Sequence, residues 1–400
     1  KKFKTELKGI SQKIINEKDL CSNKLWKLFC DEIKTAYVKS FPYKLLSRKK
    51  FKDKCWITPS IKKFFRTKEK LYKKWLKNKT NENEERYRKY KNLFNKTIKL
   101  AKDMYYKTIF SADSNNKDLW KEIKMMLSQN KKDTIDIIDI NGKKTNDSNE
   151  IANLLNNHFA TIGEKMGKKI KCSNDLGFES FMPTPINNSI YLQKSNELEI
   201  LKIIDNLNNK KSAGHDNVSQ KLIKETKIEL IPVLTKLINK SINEQVYPDS
   251  LKIAKIIPIY KSGSHQDCTN YRPISLLSSF NKIFEKKIQL DLVNHIESNN
   301  ILFTNQFGFR KFHSTIDALI NLHNFIIEQQ RQKKKIIGIF IDLQKAFDSI
   351  DNDILIKKSN YYGISGPFNK LIASYLKNRK VYTTVNDTFS ETKEIKFGVP

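Results

Sequence analysis

Hydrophobic and polar positions along this chain recur with two different periods, and the changes of period mark out its elements. Residues 1–40 carry apolar side chains at helical spacing (Leu20, Leu25, Leu28, Phe29, Ile33) with no chemistry attached. A second helical stretch starts near Ile61 behind Thr58 or Ser60 as a cap, and sets Phe64, Phe65, Leu71, Tyr72, Trp75 and Leu76 roughly on one face. After a polar break at 78–83, Tyr87, Tyr90, Phe94, Ile98, Ala101, Tyr105 and Ile109 follow three or four residues apart. Two amphipathic helices joined by a short polar loop predict an αα-hairpin.

Further on, a helix is expected over 119–127 around Trp120. The alternating run 134–140 reads as a strand that turns at Asn141-Gly142, a hairpin signal. Helical spacing returns over 147–166, with Ile151, Leu154, Leu155, Phe159 and Ile162 on one face. Residues 171–188, with Gly177, Pro183 and Pro185, read as a linker. Beyond it the pattern predicts helices over 195–207 and 219–243, separated by a tight basic turn at 211–216. A strand follows over 252–260, and its Pro258 suggests an edge. A turn at 261–264, a returning segment from Asn270, and helices over 281–296 and 314–330 come next. The last elements are a break at 361–366, a helix over 367–376 and a strand at 381–385.

The stretch IIGIFIDLQKAFDSI, at 336–350, changes period in its middle. Up to Leu343 it is a β-branched and aromatic run, as in a strand buried on both faces. From Gln344 onward Ala346, Phe347, Ile350, Ile354 and Leu355 fall at helical spacing. Asp342 therefore sits where a strand hands over to a helix. A buried carboxylate is costly unless it is paired, hydrogen-bonded or bound to a cation, and open α/β sheets place ligand sites at strand carboxyl ends. One reading makes Asp342 a metal ligand. The other makes it the N-cap of the following helix, a position that favours Asp.

Charge changes the picture next. The 400 residues carry 75 Lys and Arg against 43 Asp and Glu, a net +32 that attracts polyanions. A hydrophobic share of 38%, with 23 Phe and 15 Tyr, still predicts a folded protein, and the length suggests two or three domains. Five cysteines without a C-x-x-C pair read as thiols of a reducing compartment. With no signal peptide and no apolar run long enough to span a bilayer, an intracellular location, nucleus or cytoplasm, is expected and membrane contact is not. The absence of Met at the start and the ending FGVP read as a fragment cut at both ends. Lys49, Lys50, Lys62, Lys63, Arg66, Lys73 and Lys74 in the basic helical region, with Arg310, are candidates for contact with a nucleic-acid backbone. The alternative is a solvated, lysine-rich hairpin with no partner.

Five stretches in order, SAGHDN, IPIYKSG, NYRPISLL, QFGFR and FIDLQKAFDSID, followed by FGVP, resemble the reverse transcriptases of non-LTR retrotransposons, the LINE and jockey-like type. The resemblance covers about 210–400 and extends more weakly to WITPSIKKFFRTKEKLYKKW and the stretch around Ile151. It implies an α+β right-hand polymerase, here the fingers and the first part of the palm, preceded by a basic, mainly helical extension. The domains expected are a helical segment over 1–45, the extension over 46–170, the linker over 171–188, and fingers with partial palm over 189–400. On this resemblance Asp342 is the first catalytic carboxylate and, with the Leu343 carbonyl, a ligand of Mg²⁺ or Mn²⁺. Lys261 and Arg272 hold the triphosphate, Phe347 is the sugar gate, and Gly398 lies along the incoming nucleotide. Implied partners are an RNA template, a DNA primer, target DNA and dNTPs. The family's second carboxylate pair is not among these residues, for no Asp-Asp dipeptide occurs in the sequence. Asp348, Asp351 and Asp353 are expected to be solvated or capping rather than substitutes for it. A non-catalytic nucleic-acid-binding remnant of such an element is the rival reading, and a polymerase of a mobile intron a third.

Overall fold

A computed structural model describes residues 2–42, 56–110, 119–120, 123, 135, 138–140, 143–167, 177–209 and 212–399. Lys49, Lys50, the Asn141-Gly142 turn and most of the helix expected at 119–127 lie outside the described residues. The chain forms two compact units, one of residues 1–42 with 135–400 and one of 43–134. This differs from the expected division. Residues 1–42 and the helix at 148–167 belong to the same unit as the C-terminal half of the chain.

The elements begin with helices α1 (Lys2–Asn16) and α2 (Ser22–Ser40), followed in the second unit by α3 (Pro59–Lys77) and α4 (Asn81–Ile109). The first unit resumes with β1 (Ile138–Ile140), β2 (Lys143–Thr145), α5 (Ser148–Gly167), α6 (Glu197–Asp205), α7 (Gln220–Glu225) and α8 (Lys227–Glu244). It continues through β3 (Ile253–Tyr260), β4 (Tyr271–Leu276), α9 (Ser279–Ser298), α10 (Thr315–Arg331), α11 (Asn352–Tyr361) and α12 (Gly366–Leu376), and closes with β5 (Arg379–Val385), β6 (Thr388–Phe389) and β7 (Lys393–Ile395). The helix expected over 219–243 is broken at Thr226, whose hydroxyl donates back to the Leu222 carbonyl (2.8 Å).

Two cores organise the first unit. In one, α1 and α2 pack with α6, α8, α9 and α12 around Trp26, Phe29, Tyr247, Phe280, Phe284 and Phe368. Two of its buried donors are matched: Trp26 Nε1 donates to Ser241 Oγ (3.0 Å) and the Tyr247 hydroxyl to Asn281 Oδ1 (2.6 Å). Removing such partners would leave desolvated donors, so the first two helices are structural parts of this unit. In the other core, Ile151, Leu155, Phe159 and Ile162 of α5 cover Ala254, Ile256, Val381 and Val385 of the sheet.

The sheet has strand order β4-β3-β5-β6, with β7 also on β5. β3 and β4 form an antiparallel hairpin in the register Tyr260↔Tyr271 to Lys255↔Leu276, while β3 runs parallel to β5 only from Ile253 to Ile256. The other half of β3, with Pro258, is thus an open edge, where a residue without an N–H is tolerated.

The second unit is the expected hairpin. Thr58 caps α3, its side chain accepting from Ile61 N (3.3 Å), and Pro59 occupies the first turn. Between the helices Phe64 stacks on Tyr90 (5.2 Å between ring centroids) and Trp75 on Tyr87 (5.7 Å), with Tyr72 beside Tyr87.

Candidate active site

Asp342 does not end a buried strand. Residues 334–343 have no ladder partner among the described residues, and the apolar run lies open, with Phe340 89% and Ile341 83% exposed. A double-buried strand needs neighbours on both edges and cover on both faces, and the described residues supply neither. Nor does Asp342 cap a helix. Residues 344–349 are turns, with Lys345 at φ +52°, and α11 begins only at Asn352. Its cap is Asp351, whose Oδ1 accepts from Asp353 N (2.8 Å) and Ile354 N (3.0 Å). Asp351 is therefore a capping residue, as expected of it, and Asp342 keeps an exposed carboxylate.

Just downstream the chain is pinned. Gly398 N donates to the Ile350 carbonyl (2.8 Å) and Val399 N to the Phe347 carbonyl (3.1 Å), while Asp351 and Phe397 form a β-bridge. Gly398 has φ +86°, and a Cβ there would stand 3.0 Å from the Phe347 carbonyl oxygen. Glycine meets both demands, the left-handed backbone and the close approach. Phe347 and Gly398 are thus brought together in one junction. The Phe347 ring remains 57% exposed and meets Phe309 edge-on at 5.8 Å.

Sequence reasoning missed what lies beneath this junction. A cavity of about 70 Å³ is lined by Phe159 and Gly163 of α5, Ile256, Asp348, Arg379 and Gly398. Burial raises the Asp348 carboxyl above its ordinary range, and Lys345 only partly offsets that, so Asp348 is not the solvated residue expected. Arg379 is buried, gives one N–H to the Tyr375 carbonyl (3.1 Å), and leaves Nη2 without a partner among the described residues. Nearby on α5, burial and the charges of Lys345 and Lys165 lower His158 to about 4.

Lys261 and Arg272 fall on the β3–β4 hairpin, both exposed and with no carboxylate partner among the described residues. Arg272 faces Ile259 across the ladder, and Lys261 is two residues beyond Ile259, so strand alternation puts both cations on one face. That face also holds the exposed Ile257, Ile259 and Ile274. The Phe347–Gly398 junction instead packs under the other face, at Ile256, Pro273 and Ser275. The four expected nucleotide contacts therefore come as two pairs that do not converge on one face.

On α3, Lys62, Lys63, Arg66, Lys73 and Lys74 are all exposed. The acidic first turn of α4 is taken up within its own helix, by Glu82–Arg86, Glu84–Arg88 and Glu85–Lys89 pairs. Arg310, in contrast, is half-buried and paired with Glu297 (3.3 Å), which removes it from a free basic surface.

The residues present do not make a metal centre by themselves. Asp342 and the Leu343 carbonyl are hard oxygen donors suited to Mg²⁺, but no group of three or more His, Cys, Asp or Glu residues able to hold a metal occurs among the described residues.

Residues 259–400 match the family described as reverse transcriptase (RNA-dependent DNA polymerase). Over 220 residues the chain is 33% identical to a protein named probable RNA-directed DNA polymerase from transposon BS of Drosophila melanogaster, covering 55% of this chain and 24% of that one. It is 30% identical over 223 residues to the RNA-directed DNA polymerase from mobile element jockey of the same species, covering 56% and 24%. With the probable RNA-directed DNA polymerase from transposon X-element it shares 29% over 206 residues, covering 50% and 22%. The chain spans about a quarter of the length of these curated relatives.

Proposed function

We propose, from the reverse transcriptase domain that this chain carries, that the whole protein is an RNA-directed DNA polymerase of a non-LTR mobile element. It transfers deoxynucleotidyl groups from dNTPs to the 3′-hydroxyl of a DNA primer on an RNA template and releases pyrophosphate. The observation that carries this reading is the junction of 347–350 with 397–399, which joins two separate family motifs five residues after Asp342. In this reading the chain holds the fingers and the first part of the palm, behind a basic extension. Asp342, with the Leu343 carbonyl, is its contribution to a Mg²⁺ or Mn²⁺ site. Further carboxylates are needed to complete that site. Phe347 lies against the sugar and Gly398 along the nucleotide. Lys261 and Arg272, on the exposed face of their hairpin, neutralise the triphosphate.

Primer extension tests the polymerase reading. Residues 1–400 are expected to give no templated product. In the full-length protein Asp342→Asn should abolish extension, a loss of about a thousandfold or more, while RNA binding stays nearly unchanged. Full activity of that variant would refute the role. The alternative is a non-catalytic binding remnant of such an element. A full-length protein that binds RNA but never extends a primer would establish it.

The exposed basic side chains of α3 support a second role, contact with the backbone of the RNA template, the primer or target DNA. Log affinity should then fall linearly with log salt, with a slope of roughly 0.7 to 0.9 per phosphate contact. Charge reversal at Lys73 and Lys74 is expected to flatten that slope by about two contacts. A changed sequence preference with an unchanged slope would exclude phosphate contacts. No described helix is long and apolar enough to cross a membrane. We place the protein's work in the nucleus or cytoplasm.

A further inference from the structure

Gly163 lies in the interior of α5, outside the stretch that matches the polymerase family. Glycine there costs the helix about 1 kcal/mol relative to alanine, so its surroundings must compensate. A Cβ at Gly163 would overlap the Asp348 carbonyl oxygen and stand 2.5 Å from Phe397 Cβ. Those atoms belong to the two segments that are hydrogen-bonded through Phe347, Ile350, Gly398 and Val399. α5 therefore touches the junction at the backbone carbonyl of Asp348 and at the Phe397 side chain, whose ring also reaches Gly167 on the same helix.

The helix that makes this contact is itself fastened to the sheet. Asn156 is fully buried; its Nδ2 donates to the Glu391 carbonyl (2.8 Å) and its Oδ1 accepts from Thr383 Oγ1 (3.1 Å). One turn earlier, Asn153 Oδ1 accepts from Glu391 N (2.8 Å). Asn156 and Gly163 are seven residues apart, which is two helical turns, about 10 Å along one face. The face that grips β5 is thus the face that meets the junction. Close-packed contacts of this kind transmit displacement rather than absorb it.

We infer that Gly163 is a positioning residue for sugar discrimination: α5 is a rigid bracket between the sheet and the junction, and the missing side chain at Gly163 sets where the Phe347 ring stands. The inference rests on reading Phe347 as the sugar gate. It predicts that an atom added at Gly163 displaces the 347–350 backbone and loosens the choice between dNTP and rNTP, even though Gly163 touches neither.

The test compares kcat/KM for dNTP and rNTP on one primer-template, using the full-length polymerase with wild-type sequence, Phe347→Val, Gly163→Ala and Phe397→Ala, together with the Tm of each. Phe347→Val should raise the rNTP-to-dNTP ratio by on the order of a hundredfold, and Gly163→Ala by about tenfold, as expected of a displacement below 1 Å. A general loss of stability would lower both kcat/KM values and leave their ratio alone. If Phe347→Val moves the ratio while a folded Gly163→Ala keeps the wild-type value, the bracket is overturned and the gate survives. If Phe347→Val leaves the ratio unchanged, the gate reading itself falls, and the bracket's role in selectivity with it. Should Gly163→Ala fail to fold, Phe397→Ala carries the decision, because it loosens the same contact without adding an atom. A raised ratio in that variant upholds the bracket and an unchanged one rejects it.

Discussion

β3, with the sequence IAKIIPIY, and the run IIGIFIDL at 336–343 have nearly the same character, yet one is a paired strand and the other lies open. β3 acquires one neighbour locally, since β4 returns after the connection 261–270, and a second from β5, far along the chain. α5 then covers its inner face. The run at 336–343 has none of these among the described residues, and α10 before it buries no side chain. Apolar patterning states what a segment requires. Whether the requirement is met depends on surfaces elsewhere in the protein.

Truncating one isoleucine in each run should separate the two most strongly. Ile256 is 2% exposed and Ile341 83%. In residues 1–400, Ile256→Ala should cost about 2 to 5 kcal/mol as a buried large-to-small change. Ile341→Ala should stay within about 0.5 kcal/mol, as surface substitutions do. Urea unfolding measures both. Equal losses would mean that 336–343 is packed in solution and that the contrast with β3 is false.

A smaller effect is expected where the open run re-enters the fold, at Asp348. Its folded pKa is raised by burial, so ionisation at neutral pH disfavours the folded state. The associated stability is present below the unfolded carboxylate pKa, about 3.9, and is lost as pH rises through the folded value. Asp348→Asn should therefore raise Tm slightly at pH 7, with the gain vanishing in acid. A drop in Tm at pH 7 would show that the carboxylate has a partner that stabilises its charge.

The legible parts of the molecule are those fixed by near neighbours. Thr58 and Asp351 as caps, the Phe64-to-Trp75 face of α3, the face of α5 from Ile151 to Ile162, and the half-open edge at Pro258 all follow from spacing and residue chemistry. The rest depends on contacts across long sequence separations. Nothing local to Asn156 shows that it holds strands more than two hundred residues away, and a lone glycine in a helical pattern does not reveal Gly163 as a contact point. Punctuation by Gly and Pro, as in 171–188, likewise does not say which surfaces lie on either side. For Lys261 and Arg272 the resemblance implies a nucleotide shared with Phe347, whereas the hairpin register puts them on the face away from the Phe347–Gly398 junction.

The smallest predicted effect reports whether the turn after the open run stays docked. His158 on α5 is held neutral, its pKa lowered to about 4 by burial and then by Lys345 and Lys165, against a smaller opposing pull from Asp267. The unfolded imidazole takes up a proton below about 6.5, and the folded one only near 4. Between those values the unfolded state binds more protons, so stability contributed by this group is complete above the unfolded pKa and declines as pH falls through the window. Carboxylates titrate in the same range. The measurement is therefore the difference in Tm between wild type and His158→Gln at each pH, with the imidazole followed by NMR in residues 1–400. If the turn at Lys345 remains packed against α5, Lys345→Gln removes a positive charge and moves the His158 titration upward, narrowing the window from its acid side. An unmoved titration would mean that Lys345 stands away from α5 in solution, and that the open run extends past Asp342 into the turn.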